Sequence, residues 1–376
     1  MTIHRLGTLV LTVLATVPAA AQSPIPVWSL DPELRIGSVD DGPFTFGDIS
    51  HITVSPRTGA VVVADYGSLR IFAPDGSHLR SFGRKGEGPG EFQRLTSVGW
   101  QGELLAAFKR SPGNVMLFTE EGALVDDRRI PVAKDLEGLE GVTGYPVAPL
   151  AQGAYLWRAA GVGASAERPF VSLVRTDGRG ADRILDRLAE EPMWRAGGIT
   201  GRQRLSGPSL LAAHPRGTSF VVLHQHAPRD EADAHFRLRK VDSSGQVLFA
   251  RTFSYDPKPV PPAYEDSLIR FATDLIERWS SLPDVERTLR QNNIVPRLQP
   301  PATQLLLAVD GSTWIRREDV YTAVVTWLVL DPRGDLIAQL RLPTSQRILY
   351  VDGNVVWGVE TDALDVQYAV RYRLRR

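Results

Sequence analysis

Apolar and polar residues alternate in short runs along most of this chain, and glycine-bearing turns separate the runs. The clearest turns are Pro74-Asp75-Gly76, Glu120-Glu121-Gly122, Thr176-Asp177-Gly178, Ser243-Ser244-Gly245 and Asp331-Pro332-Arg333-Gly334. A β-rich run precedes each: Leu69–Phe72, Val115–Phe118, Val171–Val174, Phe236–Val241 and Tyr321–Leu330. Others follow, such as His78–Phe82, Val247–Phe253 and Asp335–Leu340. Period-two alternation predicts strands, and Asp-Gly and related pairs suit two-residue hairpins because glycine tolerates positive φ. Each copy therefore reads as the hairpin between the third and fourth strands of an antiparallel unit.

The first two strands of several units are equally legible. They are Ile49–Val54 with Ala60–Ala64, Leu95–Trp100 with Leu104–Phe108, and Leu210–Ala213 with Ser219–Leu223. Four-stranded units recurring about every 50 residues predict an all-β propeller, whereas a sandwich has no reason to repeat one turn grammar. Near the C-terminus three strands (Ile348–Val351, Val355–Val359, Tyr368–Leu374) stand without a fourth, while Val27–Ile36 has no unit of its own. Pairing them closes the ring and removes two exposed edges. Five hairpins plus this composite unit predict six blades of four strands, and the irregular third unit leaves seven compatible.

The spacing between hairpin glycines is 46, 56, 67 and then 89 residues, and the last gap holds an insertion of different character. Over Pro262–Arg290, Leu268, Phe271, Leu275, Ile276 and Trp279 recur with helical period. Pro283 suits the first turn of a second helix carrying Val285 and Leu289. A helical hairpin in blade 5, capping one mouth of the ring or bracing blades, is predicted from about residue 262 to 290.

The first 21 residues break the strand pattern. A short polar start with His4 and Arg5 leads into the 12-residue apolar run Leu6–Val17, then Pro18 and Ala19-Ala20-Ala21. This is the pattern of a cleaved signal peptide, and the run falls short of the about 20 residues that span a bilayer. Residues 22–376 are then the propeller, expected outside the cytoplasm, in a periplasmic or extracellular setting, as a monomer. The chain has no cysteine, which excludes disulfides, thiolate metal sites and a cysteine nucleophile. Its 43 basic residues equal its 43 acidic ones, so it lacks the basic field that nucleic acids attract.

Phe46–Phe92 carries the most specific motif. It runs Gly59-Ala60-Val61-Val62-Val63-Ala64-Asp65, then Arg70-Ile71-Phe72-Ala73-Pro74-Asp75-Gly76, then Leu79-Arg80-Ser81-Phe82-Gly83-Arg84-Lys85-Gly86-Glu87-Gly88-Pro89-Gly90-Glu91-Phe92. This order resembles the NHL-repeat family of six-bladed propellers, above all uncharacterised exported bacterial members. It covers one blade well, and Leu307–Arg316 echoes it faintly. The motif also has a purely structural reading. Asp65 can accept backbone N–H bonds in a turn. Phe72 and Phe82 pack between blades, and Gly83, Gly86, Gly88 and Gly90 return the chain to a new inner strand, where Phe92 re-enters the core.

Candidate chemistry is thin. The glycine string ends in Pro89 and a strand rather than Gly-Lys-Ser/Thr and a helix, so no phosphate loop is expected. His224 and His226 are placed on one side of a strand, as zinc ligands at i and i+2 would be, with His235 or Asp233 as a third. The competing expectation is a mobile polar loop from Gln225 to Asp233 carrying solvated histidines. The resemblance also implies metal-dependent lyases and lactone hydrolases, with ligands on inner strands around the axis. His51 and Asp65 are first-blade residues that could contribute, but no full ligand set is recognisable. The expected function is binding or scaffolding without catalysis. The ligand, a protein, small molecule or carbohydrate, would sit at the channel mouth or on the inserted helices. No cofactor is expected unless a divalent metal sits at His224, His226 and His235.

Overall fold

A computed structural model describes residues 24–376 except 41, 94, 111–112, 131–142, 161–169, 180–181, 197–198, 279–283, 318–319 and 321. The leader over residues 1–21 lies outside the described residues, as do Trp279 and Pro283 of the expected insertion.

The alternating runs build four-stranded antiparallel sheets in a propeller-like arrangement. The first sheet comprises His51–Val54, Val61–Asp65, Ser68–Phe72 and His78–Phe82. The second comprises Leu95–Gln101, Leu104–Lys109, Asn114–Phe118 and Leu124–Arg129. The third comprises Thr143–Pro149, Tyr155–Ala160, Phe170–Thr176 and Arg183–Ala189. The fourth comprises Leu210–Ala213, Ser219–His224, His235–Asp242 and Val247–Ser254.

The remaining long strands join into one eight-stranded sheet. One half is Gln304–Leu307, Thr313–Arg317, Val324–Leu330 and Leu336–Pro343; the other is Gln346–Asp352, Val355–Thr361, Gln367–Arg375 and Val27–Ile36. The halves meet where Val27 pairs with Gln339 and Trp28 with Leu340 in parallel. The N-terminal strand then runs antiparallel to the last one, from Ser29 opposite Arg375 to Ile36 opposite Ala369. The pairing expected to close the ring is therefore present.

The hairpins differ from the two-residue turns expected of Asp-Gly. At Asp75-Gly76, Ala73 N–H bonds to Ser77 O at 2.8 Å, Gly76 N–H bonds to Ala73 O at 2.9 Å, and the register shifts between Ile71 and Phe72. The same pattern recurs at Thr119–Ala123, Asp242–Gln246 and Asp331–Asp335. Each is a longer turn with a bulge, in which the glycine takes the left-handed position (φ +88° at Gly76). Such a turn keeps the right-handed strand twist without needing two positive-φ residues.

The core is divided among the sheet interfaces. Leu69 and Ile71 of the first sheet pack on Leu105 and Met116 of the second. Phe108 and Trp157, Leu156 and Phe220, Leu223 and Leu305, and Trp327 and Tyr372 continue the series. Phe72 and Val63 then meet Trp357 and Val359, so the last strands pack on the first sheet. Period-two alternation explains this division: both faces of an inner strand point at a neighbouring sheet, so runs such as Val61–Asp65 are buried throughout.

Antiparallel order also places the loops. In each sheet the turn between strands one and two and the turn between three and four share one end. The connection to the next sheet leaves from the opposite end, and the elaborations gather there. Helices α1 (Pro262–Glu277) and α2 (Val285–Gln291) occur where the insertion was expected. Unexpected is a hairpin of Met193–Ala196 with Ile199–Arg202, in the connection from the third sheet to the fourth. Trp194 and Leu205 pack with Ile269, Val285, Leu289 and Ile294 in a small separate core. The Arg204 N–H bonds to Ile294 O at 3.0 Å. The insertion is thus a brace between two inter-sheet connections.

Candidate functional site

The first strand of each sheet faces the axis, and these strands surround a cavity of about 540 Å3. Its wall mixes polar and apolar side chains. Ser50, His51, Thr96, Tyr145, Ser209 and Gln304 begin the inner strands at the elaborated end; Ile52, Val98, Val147, Leu211 and Leu306 follow further in.

The far end is blocked by one turn, His214-Pro215-Arg216-Gly217. Pro215 O accepts the Trp100 N–H of the second sheet at 3.3 Å, and Gly217 O accepts the Ala151 N–H of the third at 2.9 Å. His214 Nε2 donates to Val309 O at 3.0 Å while its Nδ1 accepts the Arg216 N–H at 3.1 Å. Arg216 reaches Asp352 at 3.8 Å. Burial, reinforced by Lys240 and Arg216, holds the His214 pKa below its ordinary value despite the Val309 bond, so the ring is neutral and its tautomer defined. Among the described residues, backbone and ring bonds of this one turn therefore cross the end of the axis opposite the elaborations.

At the elaborated end His51 Nε2 donates to Thr96 O at 3.2 Å, and its Nδ1 lies 3.1 Å from Ser50 Oγ. Desolvation lowers its pKa to about 4, so it is a neutral strut between the first two sheets. Arg347 donates to Ile49 O at 3.1 Å, and burial lowers its pKa. Arg158 pairs with Glu190, which Arg202 approaches at 3.4 Å.

Asp65 does accept backbone N–H bonds, from Gly47 at 3.1 Å and Asp48 at 2.7 Å, and its other oxygen takes Arg70 at 2.9 Å. It secures the connection entering the first sheet and does not line the cavity. Gly83 (φ +76°) passes against the Phe92 ring, where a Cβ would approach to 2.6 Å, so the glycine is obligatory there. Gly90 has φ +72°, whereas Gly86 and Gly88 are kept small by Glu91, whose carboxylate folds back to accept the Gly88 N–H at 3.0 Å. That bond, the largest cause, and Arg84 lower the Glu91 pKa. The loop is filled by its own anion.

The three candidate metal histidines are not brought together. His226 bonds Asp233 at 2.9 Å, and its ring lies 5.8 Å from that of His235. His224 turns instead to Asp186 at 3.1 Å, with Arg239 on the same oxygen at 2.8 Å. Among the described residues no group of three His, Asp or Glu side chains is arranged to hold a metal ion. Nor is Gln225 part of a mobile loop. It is buried, its amide donating to Pro208 O at 3.0 Å and Ala302 O at 2.9 Å and accepting the Ala302 N–H at 3.0 Å. Sequence reasoning missed Gln225, Asp186, Ser209 and the blocking role of His214. Their partners lie in other sheets, in connecting segments or 15 or more residues away, and no local spacing announces them.

No protein-family model matches the chain, and no curated protein matches it. Solved structures do. A member of the DUF4221 family from Bacteroides vulgatus is 8% identical, with 94% of this chain and 100% of that one aligned at a TM-score of 0.54. A Bacteroides fragilis protein inferred to be exported is 13% identical, covering 93% and 96% at 0.50. These likenesses show the fold, a propeller, and nothing of the activity.

Proposed function

We propose that this chain is an exported propeller of six four-stranded blades, NHL-like in its first blade, that binds a ligand at the open mouth of its axial cavity. The blade count rests on reading the two halves of the eight-stranded sheet as separate blades, each with its own interface core. Export rests on the pattern of residues 1–21.

One observation carries the binding reading: a cavity of about 540 Å3 among the inner strands, crossed at one end by the turn of Pro215 and lined both by apolar side chains such as Ile52, Val98, Leu211 and Leu306 and by polar ones such as His51, Tyr145 and Gln304. Such a wall suits a small molecule with a slender apolar part and a polar or sugar-like head, since concave, mostly apolar pockets with a few directed polar groups are the usual form of a ligand site. Octyl glucoside titrated against the protein by calorimetry is a direct probe. Leu211→Trp, which fills the cavity, should abolish binding with the melting temperature retained. Undiminished binding by that variant would overturn the placement of the site.

The alternative is a metal-dependent lyase or lactone hydrolase. Its ligands would lie on the inner strands around the axis, where His51 lines the cavity with both ring nitrogens already bonded.

A further inference from the structure

We propose that Ser209, His224 and Asp186 form a nucleophilic triad at the open end of the axial cavity, directed at carboxylic esters whose acyl part lies along the apolar wall. Ser209 Oγ lies 3.4 Å from His224 Nδ1, and His224 Nε2 lies 3.1 Å from Asp186 Oδ2. A serine hydroxyl is a weak nucleophile until a base takes its proton, and the base needs a third group to orient it. With a carboxylate at Nε2 the proton sits on that nitrogen, leaving the Nδ1 lone pair toward Ser209.

The surroundings fix each member. Burial by itself would raise the Asp186 pKa, but the bonds and charges of His224 and Arg239 hold it below the ordinary value. The Arg187 N–H supplies a further bond at 2.8 Å. The Ala189 N–H donates to Ser209 Oγ at 3.0 Å, so the hydroxyl proton is left for Nδ1. The clamp of Gln225 on Pro208 O sets the residue before the serine, and the Ser206 carbonyl accepts the Ala227 N–H at 2.8 Å. Gly207 (φ +72°) packs against the His226 backbone, where a Cβ would approach to 2.8 Å. The segments bearing Ser209 and His224 are thereby held together. Ser209 lines the cavity with only 5% of its surface exposed, so a substrate must enter to reach it.

The reaction balances with water alone. Ser209 Oγ bonds to the ester carbonyl carbon as its proton passes to His224 Nδ1. The C–O bond to the alcohol then breaks, and the Nδ1 proton goes to the departing oxygen. Water, losing a proton to the same nitrogen, adds to the acyl carbon; the bond to Oγ breaks, the acid leaves and Ser209 regains its proton. Leu210–Ala213 is the axis-facing edge of its sheet, and such an edge offers N–H groups without ladder partners to the developing oxyanion.

This goes beyond binding, although it uses the same mouth. The test is to treat the full chain with a fluorophosphonate and locate the adduct by peptide mass spectrometry, with p-nitrophenyl octanoate as substrate. The expected result is one adduct, on Ser209, lost in Ser209→Ala together with turnover. His224→Gln should reduce turnover on the order of 100-fold or more. Asp186→Asn, a positioning change, should lower kcat and leave KM unaltered. No adduct, an adduct elsewhere, or wild-type hydrolysis by Ser209→Ala would overturn the triad. The wild-type adduct map decides the matter even should a variant fail to fold. Octyl glucoside binding without an adduct would remove the triad and leave the binding site standing.

Discussion

Pro215 of the fourth sheet accepts the backbone N–H of Trp100, a residue of the second sheet, at 3.3 Å. The bond runs between sheets that are not neighbours in the ring, and it makes one turn into the floor of the axial cavity. Gly217 permits that turn: at φ +67°, a Cβ there would approach Pro149 O to 2.9 Å. Gly217→Val should cost about 1–3 kcal/mol from the left-handed strain alone, with the clash in addition. Denaturant unfolding reads the loss, and faster amide exchange at Trp100 reports the floor loosening.

Gln225 satisfies three buried backbone groups at once, on Pro208 and Ala302. Gln225→Met keeps the volume and abandons them, and unmet buried groups cost about 1–3 kcal/mol each. A drop of several kcal/mol in unfolding free energy is expected, whereas His226→Ala on the exposed loop should change it by less than about 1 kcal/mol.

His51 gives stability a pH dependence of definite sign. Its folded pKa of about 4 lies below the ordinary 6.5, so between those values the unfolded chain binds more protons. Stability is therefore full above pH 6.5 and falls as pH drops toward 4, by up to about 3 kcal/mol. His214 adds in the same direction. His51→Gln should flatten the pH profile of the melting temperature; an unchanged slope would show that the acid sensitivity arises elsewhere.

Removing residues 1–36 takes away the strand that pairs with Gln367–Arg375 and touches Leu336–Pro343. Two bare strand edges result, and bare edges associate. The truncated chain should melt lower and scatter light at concentrations where the intact chain stays monodisperse.

Zinc added to the metal-free protein should leave the melting temperature within a degree or so, because His224 is held by Asp186 away from His226 and His235. A stoichiometric, chelator-reversible rise would favour the lyase or hydrolase reading.

The sequence by itself determined the strands, the repeat, the helical insertion and the partnership of Val27–Ile36 with the last strands. Each is written in local periodicity or turn chemistry: alternating runs mark strands with one wet face, and continuous apolar runs such as Val61–Ala64 mark strands buried on both faces. Asp65, Gly83 and Phe92 were legible for the same reason, since a turn needs an acceptor, a positive φ or an anchor close by in sequence. Only the tertiary structure decided which end of the axis is crossed by backbone, because Pro215 and Trp100 are joined by the closing of the ring and by no spacing along the chain. It likewise separated His224 from His226. The alternation put both rings on one side of a chain segment, but a strand places its last residue against the adjoining sheet, and Asp186, with its charge held by Arg239, was waiting there.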